Sequence, residues 1–301
     1  MRGTAGRLAD RGRDRLAGAQ RRLSRTVFGT LRPSLVIVGA HKAGTTALFD
    51  YLALHPQVAA PRKKELNFFG CDIRYGSGAG FYKSFFPART SPGDSRITFE
   101  ATPHYLFAAE KAAPRLRSFD RDVRIIALLR DPVDRAYSAW QMHQAYRRTD
   151  TKVFNTWVCE CDGATEAAAF RPRREQYGRS FTDDVIEELE VEEQGQRIEW
   201  SVIGHGRYAD QLAVYFEQFA ADQMMIIDSA KMRTDPRSEL RLVEEFLHLD
   251  HHDWHADDLA PRFVGGYSEP LPLDARRVLA DHYRPFNDRL QAMLDREFDW
   301  A

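Results

Sequence analysis

The sequence predicts an α/β fold in which a central parallel sheet is covered by helices on both faces. Three apolar runs, at 35–38, 123–129 (interrupted only by Arg124) and 224–227, are typical of buried parallel strands. Each run is followed by apolar residues at helical spacing, as expected for strands that alternate with helices. Ligands of such sheets bind beyond the carboxyl ends of the strands, so the loops after these runs are the first candidates for a site.

Length and composition agree with a globular protein. The chain has 301 residues, 43% hydrophobic and 29% charged, which is ample for one large domain. Its net charge of −1 does not indicate nucleic-acid binding. Three cysteines, Cys71, Cys159 and Cys161, cannot all pair, and Cys159 and Cys161 lack the second pair that a zinc site requires. We therefore predict a reducing, cytoplasmic location.

Residues 1–33 differ from the rest of the chain, since they are rich in arginine and carry leucines at near-helical spacing. No stretch among them approaches the roughly 20 apolar residues that span a bilayer. Three interpretations stay open: a disordered or loosely helical basic tail, an amphipathic helix lying peripherally on the inner membrane surface, and an organelle transit peptide. The predicted globular domain covers 34–301.

The remaining elements follow from apolar spacing and from capping residues. A further strand is predicted at 96–100, and helices at 47–54, 78–86, 101–106, 132–140, 181–193, 206–219, 235–247 and 274–295. Ser180 or Thr182 can cap the helix at 181–193. The rest of 141–206 is polar and aperiodic, and we expect it to form part of a substrate cleft.

The loop after the first strand has the composition of a phosphate-binding loop. Strand, glycine loop and helix together aim backbone N–H groups at a phosphate. Lys42 adds a positive charge, Gly44 lets the backbone approach a ligand, and Thr45 and Thr46 supply hydroxyls that can also cap the helix. The ATP-binding pattern GxxxxGK[ST] is absent because position 45 is not lysine, so the loop suits a shorter 5′-phosphate group. An ordinary strand–helix turn is the alternative.

A second cation, Arg130, directly follows the strand at 123–129. Because parallel strands end at the same edge, Lys42 and Arg130 are expected to lie together and to suit a nucleotide with phosphates at both ends of its ribose. Ser138 lies about two helical turns further on and reaches that group only if the helix axis runs past it. The alternatives are a salt bridge from Arg130 to Asp131 or Asp134, and an ordinary helix-surface serine.

Three motifs carry a resemblance to a known family. KAGTT at 42–46, KELNFF at 64–69 and RDPVDRAYSAW at 130–140 resemble the motifs of PAPS-dependent sulfotransferases, above all the heparan sulfate N- and 3-O-sulfotransferase branch and its bacterial relatives. The likeness runs from about residue 34 to 300 and includes GRYADQL at 206–212 and FDW at 298–300.

The resemblance implies a P-loop-like doubly wound core and 3′-phosphoadenosine 5′-phosphosulfate (PAPS) as donor, without a metal. By similarity the donor's 5′-phosphosulfate binds Lys42, Ala43, Gly44, Thr45 and Thr46. Its 3′-phosphate binds Arg130 and Ser138.

The resemblance also implies that Glu65 is the general base. Sulfuryl transfer requires an acceptor hydroxyl or amine to lose a proton as it attacks sulfur, and a carboxylate beside cations is a weak base unless it is desolvated. We expect Phe68 and Phe69 to desolvate it. The alternative is a surface carboxylate paired with Lys63 or Lys64. Lys42 would stabilise the charge on the departing oxygen.

Two positions depart from the heparan branch. Ala101 stands where those enzymes carry a lysine, and Asn67 stands where the 3-O branch has histidine. The acceptor is therefore expected to be another small molecule or natural product, glycan or lipid. His41 and His104 are alternative bases. The family's Lys-Gly-Arg phosphate contact has no clear match, although Arg262, Gly265 and Tyr267 lie in its region.

Two other functions compete with sulfuryl transfer. A P-loop-type nucleotide kinase would depend on magnesium and ATP. A catalytically silent nucleotide-binding scaffold would have a decayed site, against which the joint presence of Lys42, Glu65 and Arg130 argues.

Overall fold

The computed structural model describes residues 29–149, 170–171, 180–198, 201–260 and 269–300. The strands are β1 (Pro33–Gly39), β2 (Thr98–Ala101), β3 (Arg124–Leu129), β4 (Phe170–Arg171), β5 (Arg197–Ile198) and β6 (Met224–Asp228). In these ranges β2, β1, β3 and β6 form, in that order, a parallel sheet of four strands, while β4 and β5 pair separately. The predicted parallel sheet is confirmed.

Helices flank this sheet, which confirms the P-loop-like doubly wound α/β core. They are α1 (Thr45–Leu54), α2 (Asp72–Gly76), α3 (Gly78–Lys83), α4 (His104–Phe107), α5 (Ala109–Phe119), α6 (Pro132–Thr149), α7 (Phe181–Glu193), α8 (Tyr208–Gln218), α9 (Ser229–Thr234), α10 (Pro236–Leu247) and α11 (Leu273–Leu294). Two short 3-10 turns lie at Gly204–Gly206 and Ala221–Gln223.

The strand order determines where a ligand can bind. β1 pairs with β2 on one side and with β3 on the other, so the chain reverses direction across the sheet at β1. The middle strands read as apolar runs because both of their faces are covered, and residues 35–38 are at most 1% exposed. The position beyond the carboxyl ends of β1 and β3 is therefore the one where ligands of such sheets usually bind.

Capping residues set several helix boundaries as predicted. The Ser180 hydroxyl accepts the Asp183 N–H at 3.1 Å, and the Asp183 carboxylate accepts the Ser180 N–H, so α7 begins with a capping box. Asp235 accepts the Ser238 N–H at 3.2 Å in front of Pro236, which starts α10.

Several predicted elements need correction. The helix expected at 78–86 is present as α3 but ends at Lys83, and the short helix α2, which precedes Gly78 with its φ of 80°, was not predicted. α5 was not predicted, since Pro114 interrupts its pattern and alanines form much of its buried face. α6 extends well beyond Trp140 to Thr149. Residues 201–206 are no polar loop, because Val202 and Ile203 are fully buried.

Residues 29–32 pack against the domain, where the Leu31 N–H donates to the Pro87 carbonyl at 2.8 Å. In the described part of the chain, every helix is too short or too polar to cross a membrane. Residues 1–28, Cys159, Cys161, Arg262, Gly265 and Tyr267 lie outside the described residues, and so do 150–169, 172–179 and 199–200 of the predicted cleft at 141–206.

Candidate active site

The loop between β1 and α1 leaves the first turn of α1 open to a ligand. Gly44 is the N-cap, at a left-handed φ of 96° that suits glycine, and no described side chain caps the helix. The predicted threonine cap is wrong, because Thr45 and Thr46 already lie inside the first turn. N–H groups of a first turn need partners from outside the helix, and an anion is a natural one.

Arg130 lies directly beside this loop. Its Nη1 donates to the Lys42 carbonyl at 3.3 Å, and the Arg130 carbonyl accepts the Tyr208 hydroxyl at 2.9 Å. Within the described ranges, the buried Nε of Arg130 has no hydrogen-bond partner. The structure thus brings the two cations to one edge of the sheet.

The two acids offered as salt-bridge partners of Arg130 are engaged elsewhere. Asp134 pairs with Arg276 at 2.6 Å. Asp131 Oδ1 accepts the N–H groups of Val133 and Asp134 at 2.7 and 3.2 Å, at the start of α6. The guanidinium of Arg130 consequently keeps donor capacity for an anion.

Lys42 lies in an environment that disfavours its own charge. Burial, and next the charge of Arg130, lowers the pKa of Lys42, whereas the nearby Glu65 carboxylate acts in the opposite direction. Lys42 also adopts a left-handed φ of 69°, a conformation that costs free energy for a residue with a Cβ. Such costs are typical of functional loops, and an anionic ligand would relieve the electrostatic part.

Glu65 lies on the segment that faces this loop. Its N–H donates to the Ala101 carbonyl at the end of β2, at 3.0 Å, and its φ is 58°. Its Oε1 accepts the Lys64 ammonium at 3.0 Å, and its side chain is 43% exposed. The pairing with Lys64 that the alternative interpretation required is therefore present.

The expectation that Phe68 and Phe69 desolvate Glu65 is wrong. Both rings are buried in the core, where Phe68 stacks on Tyr82 at 4.7 Å between centroids and Phe69 lies edge-on to Tyr105. They anchor the segment and leave the Glu65 side chain largely open.

A buried carboxylate, Glu100, holds the same segment in place. It is fully buried and accepts the hydroxyls of Tyr82 at 2.6 Å, Tyr105 at 2.7 Å and Thr102 at 2.8 Å. Burial raises the pKa of Glu100 and these three hydroxyls oppose that shift. Sequence analysis did not identify this role, because the hydroxyls come from different helices and loops.

Two of those hydroxyls in turn hold backbone N–H groups just after Glu65. The Tyr105 hydroxyl accepts the N–H groups of Phe68 at 2.7 Å and Phe69 at 3.1 Å, and the Thr102 hydroxyl accepts that of Asn67 at 3.3 Å. Asn67 is 2% exposed with a φ of 50°. The geometry of residues 65–69 is thus determined by hydroxyls that Glu100 orients.

His41, in the loop itself, and His104 lie in a group of neighbouring rings, of which His104 and His205 are buried. The His205 ring stacks on Phe107 at 3.8 Å and lies 6.0 Å from His41 and 5.9 Å from His104. Burial lowers the pKa of His104 to about 4 and that of His41 well below its ordinary value. Both imidazoles are therefore neutral at pH 7, the form that accepts a proton, so His41 and His104 stay alternatives to Glu65 as the base.

Ser138 is on α6 and only 2% exposed, and it takes no part in the bond between Arg130 and the Lys42 loop. Arg135 on the same helix is completely buried and donates to the Val202 carbonyl. Burial of a guanidinium is unusual, and the pattern RDPVDR at 130–135 gave no reason to expect that this arginine points inward.

Comparison with known proteins identifies the family. The sulfotransferase domain family matches residues 32–262, and the chain belongs to that family. A mouse (Mus musculus) heparan sulfate glucosamine 3-O-sulfotransferase 3B1 is 30% identical over 289 residues, which cover 89% of this chain and 65% of the relative. The human (Homo sapiens) bifunctional heparan sulfate N-deacetylase/N-sulfotransferase 1 is 26% identical, over 87% of this chain and 29% of its own length.

A solved structure shares the fold. The sulfotransferase from Alicyclobacillus acidocaldarius superposes with a TM-score of 0.64 at 26% identity, covering 89% of this chain and 97% of that protein. The chain spans 65% or less of the length of the mouse and human relatives described above.

Proposed function

We propose that this protein transfers a sulfuryl group from 3′-phosphoadenosine 5′-phosphosulfate to a hydroxyl or amine. The observation that carries the proposal is the hydrogen bond of 3.3 Å from the Arg130 guanidinium to the Lys42 carbonyl, beyond the carboxyl ends of β1 and β3. It joins two cationic sites at adjacent strand ends, opposite a carboxylate. Membership of the sulfotransferase domain family supports the same reaction.

The donor would bind with its 5′-phosphosulfate at Lys42, Ala43, Gly44, Thr45 and Thr46, where the first turn of α1 has no side-chain cap and Lys42 adds a positive charge to the loop. Arg130 would take the 3′-phosphate through its fork of donors, with Ser138 as a second contact if α6 presents it. All these groups are hydrogen-bond donors and none is a carboxylate, so we propose that the donor binds without a metal.

The reaction would be an in-line displacement. The acceptor attacks sulfur, its proton passes to the Glu65 carboxylate, and the bond from sulfur to the bridging oxygen breaks with its electron pair left on adenosine 3′,5′-bisphosphate. Lys42 would stabilise the charge on that departing oxygen. The position of Glu65, bonded to the end of β2 and within electrostatic reach of Lys42, supports this assignment.

We propose that the acceptor differs from heparan sulfate, in contrast to the mouse and human relatives, whose names specify that glycan. Ala101 and Asn67, the two positions that depart from the heparan branch, are at most 2% exposed, so neither side chain is available to contact an acceptor. A small molecule or natural product, another glycan or a lipid fits the proposal. Cysteine content favours the cytoplasm, and residues 1–33 are proposed to contact the membrane surface.

The test is an acceptor screen with isotopically labelled donor, read by mass spectrometry. The proposal predicts a labelled sulfated product and release of adenosine 3′,5′-bisphosphate, with a chelator present. Phosphate transfer from ATP that requires magnesium would instead indicate a kinase. Tight nucleotide binding without product from any acceptor class would favour a silent scaffold.

A further inference from the structure

Lys64 connects the phosphate loop with the proposed base. Its ammonium donates to the Thr46 hydroxyl at 2.9 Å and to Glu65 Oε1 at 3.0 Å, and its side chain is 18% exposed. Thr46 is the second residue of α1, so its hydroxyl lies at the helix end where the donor's phosphosulfate is proposed to bind. The ammonium therefore lies between the donor site and the carboxylate.

The charge of Lys64 also reaches the neighbouring cation. Lys64 contributes to lowering the pKa of Lys42, after burial and Arg130, whereas Glu65 has the opposite effect. Lys42, Lys64 and Glu65 thus form one interacting group. In it, a single carboxylate faces two ammonium groups at the position where an anionic donor would arrive.

The two lysines approach this position from different parts of the fold. Lys42 belongs to the loop after β1, while Lys64 belongs to the segment that Glu65 fastens to the end of β2. Lys64 is consequently fixed to the same short piece of chain as the base. The Lys64 ammonium therefore reaches the Thr46 hydroxyl from the segment that carries the proposed base, whereas Lys42 belongs to the phosphate loop itself.

We propose that Lys64 is a second catalytic cation, which binds the non-bridging oxygens of the sulfuryl group during transfer. This inference rests on the proposed function and adds a residue to it. As the bond from the acceptor to sulfur forms and the bond to the bridging oxygen breaks, Lys64 holds the sulfuryl oxygens while Glu65 takes the acceptor's proton. Donors fixed in advance at such oxygens stabilise a transition state more than the ground state.

The experiment compares Lys64→Met, Lys64→Arg and the matched control Lys63→Met, since Lys63 is the adjacent, exposed lysine. Turnover, donor KM and affinity for adenosine 3′,5′-bisphosphate are measured on each preparation, with thermal unfolding as a check on folding. We expect Lys64→Met to lower kcat by about 10²-fold, the typical cost of one such donor. Because the bisphosphate lacks the sulfuryl group, its affinity should change by less than about threefold.

The control variants sharpen the result. Lys64→Arg retains the charge and should recover most of the lost kcat, and Lys63→Met should match the wild type in kcat and in affinity. Unchanged kcat in Lys64→Met would overturn the inference. A parallel loss of kcat and bisphosphate affinity would also overturn the inference, because it would assign Lys64 to donor binding. An increased kcat would overturn it too, because Lys64 would then restrain Glu65. A wild type that neither binds bisphosphate nor turns over would instead refute the proposed function.

Discussion

Glu65 adopts a left-handed backbone conformation and its carboxylate is bonded to Lys64, yet its side chain stays 43% exposed. A general base in this position serves the acceptor and makes no necessary contact with the nucleotide. Glu65→Gln keeps the shape but cannot accept a proton, so we predict a fall in turnover of about 10²–10⁴-fold. Bisphosphate affinity, measured by calorimetry on the same preparation, should stay close to the wild type.

Glu110→Gln is the matched control, because Glu110 is exposed on α5. Near-wild-type turnover in Glu65→Gln would remove Glu65 from the mechanism. Loss of turnover together with loss of nucleotide binding would mean that Glu65 holds the Lys42 loop in place.

Arg130 has a buried Nε without a described partner and acids nearby that are already engaged. If Arg130 binds the 3′-phosphate, Arg130→Ala should weaken the binding of adenosine 3′,5′-bisphosphate by roughly 1.5–3 kcal/mol, the value of a charge-assisted hydrogen bond. Adenosine 5′-phosphosulfate lacks that phosphate, so its binding affinity should fall much less. Equal losses for both ligands, measured by competition binding, would place Arg130 elsewhere in the site.

The lowered pKa of Lys42 predicts a pH dependence of donor binding. If the charged Lys42 ammonium binds the phosphate as proposed, deprotonation removes that interaction as pH rises through the lowered pKa. As pH rises, bisphosphate affinity should therefore decline at a lower pH than the value near 10.5 at which an ordinary lysine loses its proton. Lys42→Arg stays charged throughout this range and should give a flatter curve. Identical curves for both proteins would refute this prediction.

At the scale of elements, β2 and α4 determine the geometry of residues 65–69, which carry the proposed base, through Glu100 and Tyr105. Tyr105→Phe removes the acceptor of two backbone N–H groups, whereas Tyr82→Phe removes a hydroxyl that donates to the same carboxylate. Each unsatisfied N–H costs about 1–3 kcal/mol. We predict that Tyr105→Phe lowers both kcat and unfolding free energy more than Tyr82→Phe does. Equal kcat values in the two variants would contradict this role.

Elements with one dominant pattern were predictable from the sequence. The apolar runs of β1, β3 and β6 and the capping residues Ser180 and Asp235 each act locally, so their signals are local. α5 escaped prediction because small alanines pack against α8 and carry little hydrophobic signal. α2 also escaped prediction, because it is only five residues long and has no buried residues to produce an apolar pattern.

At the scale of the whole molecule, the sheet order brings distant loops together. The neighbourhood of Lys42 and Arg130 could be predicted, because both follow strands that end at one edge. The hydrogen bond from Lys64 to Thr46 could not be predicted, nor could those that the N–H groups of residues 68 and 69 donate to the Tyr105 hydroxyl. They depend on side-chain packing across separate segments. The exposure of Glu65 likewise depends on which way Phe68 and Phe69 turn.

A ligand that bridges the loops after β1 and β3 should stabilise the entire domain, because it binds the folded state alone. The most direct measurement is thermal unfolding with and without adenosine 3′,5′-bisphosphate, with a chelator present. At about one hundred times Kd the gain is about 2.7 kcal/mol, or about 4 °C in Tm for a chain of this size. We predict that rise. No shift at saturating bisphosphate, or a shift only with magnesium and ATP, would contradict the assignment of this site to a sulfuryl donor.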